Sequence, residues 1–216
     1  MKLAQGALSW VTTSLFMGFV FLFLFIIFNG FETSIVFFFI GFIFFLLTLF
    51  FIIFFRDPER EVGEGVVACA DGKIREITSL KDEDIGESIK VSTFMNVYNV
   101  HVNRMPFDGV IKDIKHVSGS YVPAFKKESE RNERVIILVD TEIGILKIIQ
   151  IAGTLARRIV LYIKNGDKVK KGEKIGMIRL GSRVDIYLPS KSIKMVNVKV
   201  GDRVKAGCDT IAEIND

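Results

Sequence analysis

Residues 9 to 28 (SWVTTSLFMGFVFLFLFIIF) and 34 to 55 (SIVFFFIGFIFFLLTLFFIIFF) carry no charged side chain. Each is about the 20 apolar residues that a helix needs to cross a bilayer, and no other feature limits the folding of this chain so strongly. The link between them, Asn29-Gly30-Phe31-Glu32-Thr33, is short and turn-like, so residues 1–55 read as a transmembrane helical hairpin. A second apolar stretch follows the first at once, with no small-residue cleavage site between, which argues against a removable signal peptide. Lys2 precedes the first span, Arg56, Arg60 and Lys73 follow the second, and the loop holds only Glu32. The positive-inside rule then puts both ends of the hairpin in the cytoplasm and the remainder of the chain on the cytoplasmic face of the cell membrane.

Residues 56–216 contain all but one of the 29 basic and all but one of the 25 acidic residues, for a net charge of +4. That balance suits an anionic lipid surface and is too mild and scattered for nucleic acid. Cys69 and Cys208 make neither a disulfide framework nor a metal-binding spacing. From Gly63 onward, short Val- and Ile-rich runs such as VIILVD, GILKIIQIAG and VDIYLP alternate with Gly, Asp, Asn and Lys turns, the pattern of strands. The expectation is a mainly β domain, sandwich- or barrel-like, with a few short helices; residues 122–134 are the best helical candidate. One echo stands out. GDKVKKG (166–172) and GDRVKAG (201–207) each precede an apolar strand and resemble the hairpins of lipoyl- and biotinyl-type β-sandwiches. A carrier domain would need its modified lysine on a hairpin tip well upstream, whereas Lys194 lies only a few residues before Gly201. The echo therefore reads as fold.

Gly181-Ser182, in IRLGSRVDIYLP, interrupts what should be continuous strand. A serine after glycine in a strained turn can attack the carbonyl of its own preceding peptide bond, glycine leaving that carbonyl unshielded. The resulting ester eliminates across the serine Cα–Cβ bond, releasing the upstream chain and leaving dehydroalanine, which hydrolyses to a pyruvoyl group. A serine hydroxyl needs a base and an orienting acid for such a step. His101, in STFMNVYNVHVNRMP, and Asp71, in the ADG turn, supply the residue types of an acid–base–nucleophile triad, whose logic is indifferent to chain order. His116 reads as a surface residue. Arg157 and Arg158 could hold a phosphate or carboxylate, although on a strand only one of them can face a site. Asn132 and Glu133 read as a hydrogen-bonded support shell next to that substrate site.

Six motifs in order carry a resemblance: FFRDPER (54–60), ADGKIREI (70–77), STFMNVYNVHVNRMP (92–106), NER (132–134), QIAGTLARRIV (150–160) and GMIRLGSRVDIYLP (176–189). Together they resemble the short-form phosphatidylserine decarboxylases and their archaetidylserine-decarboxylase relatives. The resemblance implies a proenzyme that cleaves itself between Gly181 and Ser182 into chains 1–181 and 182–216, which stay associated. It implies that Asp71 and His101 assist that cleavage. It also implies a covalent pyruvoyl cofactor, without a metal, that forms a Schiff base with a membrane serine phospholipid and serves as electron sink for loss of CO2. His101 is the choice to return the proton. Longer relatives carry a second histidine where this chain has Arg104. Two other classes of function remain in view at this level: a membrane-tethered lipoyl/biotinyl-like adaptor or carrier, and a serine hydrolase using the same residues without the G-x-S-x-G elbow. Ester- versus ether-linked lipid, and assembly into a homo-oligomer, stay open.

Overall fold

The computed structural model describes residues 2–119, 132–153, 159–179 and 182–215, with Ser182 by its backbone alone. It divides into two compact units, Met1–Pro58 and Glu59–Asp216.

In the first unit, β1 (Lys2–Leu3) leads into α1 (Leu8–Ile27), and α2 (Ser34–Phe54) leads into β2 (Arg56–Asp57). β1 and β2 pair antiparallel, so the open ends of the hairpin are tied to each other. Both helices are long and apolar enough to span a membrane. Lipid offers no hydrophobic drive for two apolar helices to associate, so close packing at small residues has to hold them together. The buried positions are Val11, Ser14 and Gly18 on α1, and Ser34, Gly41 and Thr48, seven residues apart, together with Phe54 at the end of α2. Thr48 Oγ1 donates to Ser14 Oγ at 2.9 Å. A Cβ on Gly41 would lie 3.2 Å from the Gly18 carbonyl oxygen. The large side chains, Phe16, Phe39 and Leu49 among them, are left exposed on the outward surface.

The second unit is mainly β, and among its described residues the only helical turn is a 3-10 turn at Ser190–Ser192. Its strands are β3 (Val66–Val67), β4 (Gly72–Asp82), β5 (Gly86–Met95), β6 (Val102–Arg104), β7 (Gly109–Val117), β8 (Arg134–Thr141), β9 (Gly144–Ile151), β10 (Ile159–Leu161), β11 (Lys168–Val169), β12 (Lys174–Ile178), β13 (Ser182–Pro189), β14 (Ile193–Val196), β15 (Arg203–Val204) and β16 (Thr210–Ile214). Eight of them form a curled half-barrel in the order β11-β7-β8-β9-β13-β5-β4-β15. Two three-stranded sheets, β10-β12-β6 and β14-β16-β3, complete the domain. The stretch 122–131 of the expected helix lies outside the described residues; Asn132 forms a bridge, and Arg134 opens β8.

The echo in the sequence is half of a pseudo-two-fold repeat. β11 pairs with β7 through Lys168↔Val110 and Val169↔Gly109, and β15 pairs with β4 through Arg203↔Lys73 and Val204↔Gly72. Gly166 N donates to Ile111 O and Gly201 N to Ile74 O, while Ile111 N and Ile74 N donate to Asp167 O and Asp202 O. Asp167 and Asp202 each cap their own turn by accepting from Lys164 N and Lys199 N, both at 2.9 Å. Even the bulges recur, between Ile111 and Asp113 and between Ile74 and Glu76. The repeat axis passes the pair Ile148↔Ile186, where β9 meets β13. Both repeats need the glycine of their Asp-Gly turn. A Cβ would lie 2.2 Å from Phe94 O at Gly72 and 2.6 Å from Asp140 O at Gly109, closer than any side chain tolerates.

Strand alternation sorts the two faces of the half-barrel. Val135, Ile137 and Val139 of β8 and Val184, Ile186 and Leu188 of β13 fill the core. Each such aliphatic side chain, fully buried, contributes about 1.5–3 kcal/mol. The alternate residues of β13, Arg183 and Asp185, face the other side and are buried as well, at 7% and 2% exposure.

Candidate active site

Two registers bring the sequence-selected residues to one end of the domain. Ser182 opens β13 and pairs with Met95, the last residue of β5. Residues 96–100 then carry the chain from Met95 to His101, turning through Asn99 N→Asn96 O at 2.9 Å. From the other direction, Ile178 N at the end of β12 donates to the His101 carbonyl, and Ser182 follows Ile178 in the chain after three residues. Asp71 arrives by the second register. The segments around Cys69 and Arg104 run antiparallel, through Arg104 N→Cys69 O at 2.8 Å and Val67 N→Pro106 O at 3.0 Å. Asp71, two residues after Cys69, and His101, three before Arg104, leave that pairing at the same end.

His101 is fully buried, and its Nδ1 lies 2.9 Å from the carbonyl oxygen of Asn99. A carbonyl can only accept, so Nδ1 carries the proton and Nε2 keeps the lone pair, the tautomer of a base. The Asn99 carbonyl is an orienting group that residue types could not reveal, because any residue carries one.

Asp71 is 7% exposed. Arg60 grips it with both ends of its guanidinium, Nη1 to Oδ1 at 2.5 Å and Nη2 to Oδ2 at 2.8 Å. Ala206 N also donates to Oδ1 at 2.8 Å, and Arg60 Nη1 donates to Ala206 O at 2.7 Å. Bidentate guanidinium–carboxylate pairs fix geometry as well as charge. Arg60 belongs to the FFRDPER motif, yet nothing in that string says which carboxylate it serves.

A buried amide pair lies next to this end. Gln150 Nε2 donates to Asn103 Oδ1 at 2.8 Å, and Asn103 Nδ2 reaches the Met95 sulfur at 3.8 Å. Gln150 Oε1 is buried with no hydrogen-bond partner among the described residues. Arg104 is also buried; its Nη1 donates to Gly172 O at 2.9 Å, which ties it to the 166–172 turn.

The opposite face of β13 carries an ionic cluster that starts one residue after Ser182. Arg183 holds Asp185 by two bonds, Nε to Oδ1 at 2.7 Å and Nη2 to Oδ2 at 2.8 Å. Lys90 Nζ lies 3.4 Å from Glu76 Oε2 and 4.0 Å from Asp185 Oδ2. Burial alone would raise the Glu76 carboxyl, but Lys90, Thr78 and Arg183 outweigh it and hold that group below its ordinary value. Farther along the sheet, burial opposes the charge on Lys147, while Asp82 and Asp84 more than restore it and raise that ammonium. Cys69 is fully buried, and burial pushes its thiol up to about 12 against a hydrogen bond from the Arg104 backbone.

Asn132 Nδ2 donates to Ala152 O at 2.9 Å, and Ala152 N donates to Glu133 O at 2.9 Å. The two residues thus close the ends of β8 and β9. His116, on β7, is exposed. Arg157, Arg158 and Gly181 lie outside the described residues.

Comparison with known proteins gives the family of the chain. The profile of the family described as phosphatidylserine decarboxylase matches residues 47–212. A phosphatidylserine decarboxylase proenzyme of Streptomyces coelicolor is 52% identical over 159 residues, covering 73% of this chain and 70% of the relative. A provisionally named archaetidylserine decarboxylase proenzyme of Methanococcoides burtonii is 42% identical over 217 residues, covering 98% of this chain and 96% of the relative. A similarly named protein of Archaeoglobus fulgidus is 46% identical over 161 residues, covering 74% and 75%. Match and coverage together show that the chain belongs to the phosphatidylserine decarboxylase family.

Proposed function

We propose that the chain is a proenzyme that cleaves itself between Gly181 and Ser182 and then decarboxylates a serine phospholipid at the cytoplasmic face of the membrane. The observation that carries this reading is the convergence of His101, Asp71 and the start of β13 at one end of the domain, by two independent registers. His101 Nε2 takes the proton of the Ser182 hydroxyl as that oxygen attacks the Gly181 carbonyl. The C–N bond breaks as the ester forms, and the freed nitrogen stays on residue 182. Loss of the residue 182 Cα proton expels the Gly181 carboxylate, and water then replaces the nitrogen, which leaves as ammonia. Asp71, held by Arg60 and Ala206 N, is the fixed anion of this site.

The fold suits an N-terminal pyruvoyl group at position 182. A cut before the first residue of β13 leaves the pairings of that strand with β5 and β9 intact. Once formed, the group supplies the electron sink for loss of CO2. The protein residues bind and move protons around it: His101 is positioned to return a proton to the substrate carbon, and the buried Asn103–Gln150 amide pair offers a polar wall beside it. Arg157 and Arg158, with Asn132 and Glu133 as support, are the proposed holders of the head-group phosphate.

Purified protein from the wild-type gene should run as two chains on a denaturing gel, with the smaller beginning at position 182 and closed to Edman degradation. Ser182→Ala should stay a single chain of 24.4 kDa without activity, and His101→Ala should mature at least about tenfold more slowly. Vesicles containing ester-linked phosphatidylserine and ether-linked archaetidylserine, each carrying labelled serine, tell which backbone is used. Decarboxylation by a single chain with an intact Ser182 would refute the self-cleaving mechanism.

A further inference from the structure

The pseudo-two-fold repeat supplies an internal control for Asp71. Its counterpart in the other repeat is Asp108, in the second Asp-Gly turn. Asp71 Oδ1 accepts from Ala206 N at 2.8 Å, and Asp108 Oδ1 accepts from Lys171 N at 2.6 Å. That bond recurs at matching places and is therefore turn architecture, needed wherever this hairpin is built. The rest of the surroundings differ. Asp108 is exposed and makes no ion pair among the described residues, whereas Asp71 is buried and both its oxygens are held by Arg60. A buried carboxylate needs compensation. A single point charge would serve that need, but a two-point grip also removes the rotation of the carboxylate about its own axis. Arg60 is itself steadied by Ala206 O at 2.7 Å, so guanidinium, carboxylate and one peptide unit form a closed ring of hydrogen bonds.

We propose that Arg60 is a positioning residue for Asp71: it orients the carboxylate through which Asp71 acts in maturation, and it does not itself touch the reacting atoms. The proposal rests on the reading of Asp71 as part of the self-cleavage machinery. It also gives the FFRDPER motif a task. The last residue of α2 is Phe54, and six residues later the same chain grips the acid of the site. After cleavage the ring would span both products, since Arg60 and Asp71 belong to residues 1–181 and Ala206 to residues 182–216.

The test is the rate at which the full-length precursor converts to two chains, measured on denaturing gels at a temperature where every variant is folded by circular dichroism. Arg60→Gln should slow maturation at least about tenfold, equivalent to ~1.4 kcal/mol on the barrier. Asp108→Asn, which removes the charge but keeps an Oδ1 that can accept the architectural bond from Lys171 N, should mature at the wild-type rate. Arg60→Gln combined with Asp71→Asn replaces the ion pair with two neutral amides, and it should mature no more slowly than Asp71→Asn alone. Millimolar guanidinium should accelerate Arg60→Ala but not Arg60→Ala with Asp71→Asn, because the added cation has no carboxylate to orient. Wild-type rates in Arg60→Gln would overturn the proposal, as would multiplying defects in the double variant or guanidinium rescue without Asp71. A wild-type rate in Asp71→Asn would instead remove Asp71 from the machinery, a failure of the underlying reading that this variant reports by itself.

Discussion

Cys69 and His101 are both fully buried within the same paired segments, and their surroundings give them opposite chemistry. His101 has a backbone carbonyl that sets its tautomer, and so it presents a basic nitrogen. Cys69 has its thiol pushed from 9.0 up to about 12, chiefly by burial, and is no nucleophile at physiological pH. At pH 8 its thiolate fraction would be about one in ten thousand, so native protein should incorporate iodoacetamide at Cys208 and at Cys69 only after unfolding, as mass spectrometry would read. The same shift enters stability. The unfolded thiol loses its proton near 9.0 while the folded one holds it to about 12, so the unfolded state binds fewer protons in between. Stability from this group is complete below pH 9.0 and falls by ~1.4 kcal/mol per pH unit on the way to 12. Urea midpoints should show that slope in the wild type and lose it in Cys69→Ala; equal slopes would mean the burial effect is wrong. At this scale residue type and motif were enough to select Asp71 and His101 as candidates. Arg60 and the Asn99 carbonyl were not, because partnership with a given carboxylate or ring is a matter of folded distance.

The hairpin of two apolar helices and β13 are the two elements on which the molecule depends. In the hairpin, Ser14 and Thr48 hydroxyls meet at 2.9 Å where Gly18 and Gly41 let the helices approach. Cysteines at those two positions are close enough to be bridged, so Ser14→Cys/Thr48→Cys should form an intramolecular disulfide on mild oxidation in membranes. Adding Gly41→Leu should abolish the cross-link, because the leucine side chain has no room against the Gly18 backbone. Persistence of the cross-link in that triple variant would show a different helix interface. β13 sits inside the half-barrel with a strand on each side, and its Arg183–Asp185 pair locks its outer face. That is the physical ground for expecting the small chain to stay bound after a cut before residue 182, and for expecting the two chains to separate only under denaturing conditions.

At the level of the whole molecule, the domain is one supersecondary pattern used twice, with the buried, clamped aspartate in one copy only. Asp108 and its turn repeat the scaffold of Asp71 without burial or clamp, so scaffold and site are separable within a single chain. Residues 59–216 also form a compact unit with its own core, apart from the hairpin. Removal of residues 1–55 should therefore leave a folded protein that still cleaves itself but no longer floats with vesicles in a density gradient. A truncated protein that folds and never cleaves would assign the hairpin a part in assembling the site. The G-D-x-V echo in the sequence revealed this repeat only at its turns. The strands that follow the Asp-Gly turns carry the likeness further, since DGKIREI (71–77) and DGVIKDI (108–114) match at Asp, Gly and both isoleucines and run through the bulges after Ile74 and Ile111.

What the sequence determined alone is what acts over short range: two uncharged helical spans long enough to cross a bilayer, strand alternation, and Asp-Gly and Gly-Asp turns whose glycines meet backbone angles and close approaches that a Cβ would not. The order of the six motifs also pointed to the family, which the match over residues 47–212 shows. Tertiary structure decided the rest. Ala206 N meets Asp71 across 135 positions of chain and Gln150 meets Asn103 across 47. Contacts of that separation follow from which strands pair and in what register. Register is set by burial of Ile148, Ile186 and their neighbours on one face together with ionic locking of Arg183 and Asp185 on the other. A slip of one residue would exchange those two faces, so the site exists only where the whole sheet agrees on its alignment.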